Sequence, residues 1–115
     1  MPDPKFEVLF LEEAASFLEE QDEKARYKII YDITRSRFSN DQERFKKLTQ
    51  EIWEFRTIYK KMCFRMFAFW DKTSKESTLV VATHGIIKKS NKIPLSDLDK
   101  AERMRKLYFE LKAKL

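Results

Sequence analysis

Residues 52–70 read IWEFRTIYKKMCFRMFAFW. Two apolar runs of period two, Ile52 to Ile58 and Cys63 to Trp70, flank the polar link Tyr59-Lys60-Lys61-Met62. Successive side chains of a strand point to opposite faces, so this pattern predicts a β-hairpin. The second run is apolar on both sides, with Phe64, Met66, Ala68 and Trp70 opposite Phe67 and Phe69. A strand buried on both faces belongs in the middle of a sheet.

Outward from the hairpin, the polar turn DKTSKES leads into TLVVATHGII, residues 78–87, a third strand. Short links make the three an antiparallel meander. Upstream, KFEVLF alternates around Phe6, Val8 and Phe10 and reads as a short strand. The period then changes. Leu11, Ala14, Ala15 and Leu18 mark one helical face, and Ala25, Ile29, Ile30 and Ile33 mark a second helix that Asp22 can cap. Asn40 or Asp41 is expected to start another short helix through Phe45 and Leu48. Downstream, Pro94 bars helix just before it, and Ser96 with Asp99 has the spacing of a capping box. A last helix follows, with Leu98, Ala101, Met104, Tyr108, Leu111 and Leu115 as its stripe. The expected order is β-α-α-(α)-β-β-β-α: one α+β domain over residues 1–115, with an antiparallel sheet, an N-terminal helical hairpin and a C-terminal helix.

Length and composition agree with that picture. The 115 residues include ten phenylalanines, 43% hydrophobic side chains and 37% charged ones, enough for a packed core. Cys63 is the only cysteine, which excludes an internal disulfide and a cysteine zinc cluster. The N-terminus MPDPKFEVLFLEE lacks the basic and apolar regions of a signal peptide, and no run approaches a membrane span. A cytoplasmic protein is expected.

The net charge of +5 is unevenly distributed. Residues 1–23 carry one basic and eight acidic side chains, residues 24–85 fourteen basic and seven acidic, and residues 86–115 nine basic and four acidic. That asymmetry fits either a solvated surface or a cationic face for nucleic acid or an acidic protein.

Within the hairpin the charges at Arg56 and Arg65 break the apolar alternation. An arginine in a sheet needs a partner or a path to water. One explanation pairs each with a carboxylate, for which Glu54 and Asp71 are at hand. The other sets both guanidiniums on a concave sheet face with the lysines of THGIIKKSNKIP, residues 83–94. Guanidinium forks match phosphate geometry, and Lys88, Lys89 and Lys92 are point charges able to neutralise phosphates. His84 is either a hydrogen-bonded residue at a strand end or a general base, and Gly85 serves a bulge or a close backbone approach. Trp53, Phe55, Phe64 and Trp70 suit a core better than base stacking. One glycine allows no phosphate-cradling loop, and one histidine excludes a two-histidine ribonuclease.

Taken in order, IWEFR, then FRMF, then THGIIKKSNKIP, then the AERMR helix resemble the HigB-type, phage-derived branch of the RelE/ParE toxin superfamily. The likeness runs from about Lys5 to Tyr108. Phe55, Phe64, Ile86, Ser90 and Ile93 depart from its pattern, and the link at Tyr59–Met62 lacks its frequent glycines. No departure removes a basic residue, but Phe64 lacks the hydroxyl of the usual tyrosine.

The resemblance implies the toxin of a type II toxin–antitoxin pair, neutralised by a helix-turn-helix antitoxin. Such toxins enter the ribosomal A site and cut mRNA without metal or cofactor, using the RNA's 2′-hydroxyl to give a cyclic phosphate. Arg56 and Arg65 fall on the family's basic strand positions, and Lys88 and Lys89 on its basic turn. These four are the expected catalytic set, with Lys60, Lys61, Lys92 and His84 as RNA-binding residues. The chemistry agrees, since preorganised positive charge stabilises a phosphorane. Lys88 or Lys89 would bind phosphate or move a proton, and His84 is an outside candidate for the base. Two rival functions share these features: a ParE-like toxin that inhibits DNA gyrase, and a non-catalytic RNA-binding adaptor.

Overall fold

The computed structural model describes residues 3–88 and 92–115. Its elements are β1 (Glu7–Phe10), α1 (Glu12–Glu20), α2 (Glu23–Ser36), β2 (Phe45–Lys47), β3 (Trp53–Tyr59), β4 (Met62–Asp71), β5 (Leu79–Lys88) and α3 (Leu95–Ala113). The five strands form one mixed sheet in the order β1-β5-β4-β3-β2. The fold is α+β. β3, β4 and β5 are the expected antiparallel meander, with the doubly apolar β4 at the centre.

Two parts differ from the sequence reading. The sheet is not wholly antiparallel, because β1 lies parallel to β5, with Val8 beside Val80 and Phe10 beside Ala82. A parallel neighbour needs a crossover, and the α1–α2 hairpin begins that return path. The short helix expected through Phe45 and Leu48 is instead one turn, in which Asp41 accepts the amide of Glu43 at 2.9 Å, followed by β2. Strand pairing wins there because it stacks Phe45 on Phe55, ring centroids 4.3 Å apart, and sets it against Trp53 and Trp70. The capping box is also absent. Pro94 is the N-cap of α3, Ser96 lies inside the helix, and no side chain caps its first amides.

The hairpin turn has the two-residue form whose twist matches the strands. It places Lys60 at φ 51° and Lys61 at φ 65°, left-handed positions that usually take glycine or asparagine. Asp22 caps α2 as expected, accepting the Ala25 amide at 2.9 Å.

The two sheet faces bury different cores. One packs under α1 and α2, where Ala14, Phe17, Leu18, Ala25, Ile29 and Ile33 meet Phe55, Phe64, Met66, Val80 and Ala82. The other packs under α3, where Ala101 sits on Ile52, Phe67, Phe69 and Val81. Between Met66 and Ala68 the pairing shifts, so that Thr83 and His84 of β5 both stand opposite Phe67. The bulge restores alternation so that Gly85 faces α1. A Cβ there would lie 2.3 Å from the Phe17 ring, so glycine is required by the close approach of the helix. Among the described residues no helix is long and apolar enough to cross a membrane.

A cationic cleft as candidate functional site

The site lies on the α3 side of the sheet, where β2, β3 and β4 run beside the chain entering α3. Register explains how it forms. Lys46 stands opposite Glu54, Arg56 opposite Arg65, and Cys63 opposite Lys88. Period-two alternation therefore places Glu54, Arg56, Arg65 and Lys88 on one face. Lys46, Glu54, Arg56, Arg65 and Ile93 line a cleft of about 340 Å³.

Glu54 is the hub of that cleft. It is 1% exposed and accepts Arg65 Nη1 on both oxygens, at 2.8 and 2.9 Å. Arg56 Nε lies 3.9 Å from Glu54 Oε1, an ion pair too long for a hydrogen bond. Arg65 is 2% exposed, whereas the Arg56 side chain is 26% exposed and also lines a second, open cleft beside Arg44 and Asp32. Lys46, Arg56 and Arg65 face a single carboxylate, which leaves the cleft positive. Such an excess of charge in a concave, partly desolvated site attracts anions.

The expected residues divide on this geometry. Arg56 and Arg65 share the cleft, and Arg65 resolves its choice of carboxylate in favour of Glu54. Lys88, half-buried at the end of β5, is on the same face two positions beyond Ile86, the neighbour of Arg65. Lys60 and Lys61 are exposed at the hairpin tip, and Lys92 is exposed just before Ile93. Lys89 lies outside the described residues.

His84 is a packing residue. It is 3% exposed, stacked on Phe67 at 4.9 Å, and its ring nitrogens meet Thr83 Oγ1 at 3.0 Å and Asp97 Oδ1 at 3.1 Å. Burial pushes its pKa below the ordinary value, and so does nearby Lys100. The hydrogen bond to Asp97 and the charges of Asp97 and Glu13 oppose this. The neutral ring donates from Nε2 to Asp97 and clips the start of α3 to the bulge of β5.

Two residues of the cleft escaped the sequence reading. Lys46 belonged to a segment read as helix, and three residues of strand carry no usable period. In the sequence Glu54 stands only as a candidate partner for an arginine. A charge alternating with Ile52, Arg56 and Ile58 on an otherwise apolar strand was the available signal.

The family model of phage-derived protein Gp49-like (DUF891) matches residues 16–106, most of the chain and every strand of the cleft. The chain belongs to the Gp49-like family. This is a family of RelE-like, toxin-like proteins, which fits the toxin–antitoxin context that the sequence motifs imply. The Gp49-like region contains Lys46, Glu54, Arg56, Arg65 and Lys88. No curated protein and no solved structure matches the chain.

Proposed function

We propose that this Gp49-like protein is a HigB-type, RelE-superfamily toxin that cuts mRNA on the ribosome without metal. The observation that carries the reading is the cleft itself: two arginines in register on adjacent strands, with Lys46 beside them and Lys88 on the same face. Arg56 and Lys46 would grip the scissile phosphate and stabilise its phosphorane. Arg65 would act by holding Glu54. Glu54 lines the cleft and would take the proton of the 2′-hydroxyl as that oxygen attacks phosphorus. Lys88 or Lys89 would return a proton to the departing 5′-oxygen, leaving a cyclic phosphate. Lys60, Lys61 and Lys92 would contact the RNA backbone. The partners are the ribosomal A site, its message and a neutralising helix-turn-helix antitoxin.

One observation favours a second reading, in which the cleft binds a target such as DNA gyrase without cutting. The only histidine is buried and held at both nitrogens, so it is no base for the cleft. Expression without antitoxin separates the two. Primer extension should reveal cleaved message on translating ribosomes, and this should disappear in Arg56→Ala. DNA-damage signalling with intact message would establish the second reading instead.

A further inference from the structure

The stripe of α3 runs past the sheet that it covers. Ala101 is fully buried on Phe67, Phe69 and Val81, but Leu107 and Leu111 are 54% and 55% exposed. With Leu11, Met104, Tyr108 and Leu115 they line an open apolar groove of about 600 Å³. Its wall is held in place, because Tyr108 and Lys112 both hydrogen-bond to buried Asp71 at 2.6 Å. Leucines three to four residues apart on an exposed helix match the face of another amphipathic helix.

Charge selects the occupant. From residue 103 to 115 the helix carries Arg103, Arg105, Lys106, Lys112 and Lys114 against Glu110 alone. Arg105 is paired with Glu102 and Glu51, and Lys112 with Asp71. Lys114 lines the groove and Arg103, one turn before Leu107, is exposed at its edge, and neither makes an ion pair with another described residue. Two copies of this helix packed together would set like charges within a Debye length of each other. The geometry points to an acidic amphipathic helix of a partner protein, seated between Leu107 and Leu111 and flanked by these cations. The groove is some 20 Å along α3 from Ile93 and the cleft, at 1.5 Å per residue, so it stands whether or not the cleft cuts RNA.

The probe is a fluorescein-labelled sixteen-residue helix with leucines three and four apart and glutamates on either side. A second peptide has lysine in place of every glutamate. The acidic peptide should bind the full chain saturably with micromolar Kd, at least about tenfold tighter than the basic one. Leu111→Ser, more than half exposed and so expected to fold, should weaken that binding about tenfold, and Arg103→Glu with Lys114→Glu should reverse the preference. Equal binding of the two peptides, binding indifferent to Leu111→Ser, or no saturation below about 1 mM overturns the proposal. So does self-association that Leu111→Ser abolishes, which would assign the groove to a second copy.

Discussion

Glu54 and Asp71 are both 1% exposed, on the same face of the sheet, at opposite ends of the strip that α3 covers. Their surroundings differ. Asp71 receives Thr73 through its amide at 2.9 Å and its hydroxyl at 2.6 Å, and Tyr108 and Lys112 at 2.6 Å each. Burial works to raise its pKa, but the bonds from Lys112, Thr73 and Tyr108 outweigh it and hold the carboxyl well below the usual carboxylate range. It is a saturated carboxylate that staples β4 to the end of α3. Glu54 takes both its described hydrogen bonds from one arginine nitrogen, with further positive charge standing along a cleft. Asp71 is saturated by its own fold, whereas the surplus positive charge around Glu54 makes its cleft attractive to anions.

The largest expected effect tests whether the hub is as buried as Asp71. Arg65→Ala leaves Glu54 without its main partner, and should cost about 3–5 kcal/mol in urea unfolding. Replacing both members, Glu54→Leu with Arg65→Met, should recover most of that loss. If Arg65→Ala alone is nearly neutral, the pair is solvated and the contrast with Asp71 fails. Loss of toxicity in Arg65→Ala therefore does not by itself identify a catalytic group, and Arg56 is the cleaner target.

At the other carboxylate, Asp71→Asn removes a charged acceptor from Tyr108 and Lys112 and should cost about 1–3 kcal/mol. Because the folded pKa is depressed, this stabilisation is present in full above about pH 4 and is lost as pH falls further. The penalty of the variant should therefore shrink in acid. A penalty that is constant down to pH 2 would contradict the staple.

Much of the fold was legible because period and polarity agreed over long runs. The meander, the helical hairpin and the stripe of α3 all rest on seven or more residues. β2 did not, since Phe45, Lys46 and Lys47 are too few to show alternation and follow an Asp41 turn that imitates a helix start. The parallel place of β1 was hidden because its partner lies some seventy residues away in sequence. At the site, the two arginines stood out as charges in an apolar pattern. Which carboxylate each would take depended on cross-strand diagonals and on Tyr108 and Lys112 claiming Asp71, which only the packed structure reveals.

A smaller effect concerns the hairpin tip. Lys61 at φ 65° is strained relative to glycine, so Lys61→Gly should stabilise by about 0.5–1 kcal/mol. If this turn carries RNA, the same variant should weaken RNA binding and lessen its salt dependence by about one contact. Stabilisation with unchanged RNA affinity would remove Lys61 from the interface.

Smallest is the effect of His84. Its lowered pKa means that the folded state resists protonation, so its stabilisation is complete above about pH 6.5 and declines as pH falls below that value. The urea midpoint should fall between pH 7 and pH 5 in the wild type, and fall less in His84→Gln. Identical pH profiles would show that the ring does not titrate in this window.

The contrast between the two carboxylates is tested most directly by cleavage of a message on translating ribosomes, at matched folded concentrations of wild type, Arg56→Ala and Asp71→Asn. Arg56→Ala should lower the single-turnover rate about 10²–10³-fold, while Asp71→Asn should cut at nearly the wild-type rate. Arg56→Ala cutting as fast as wild type, or both variants losing activity equally, would contradict that contrast.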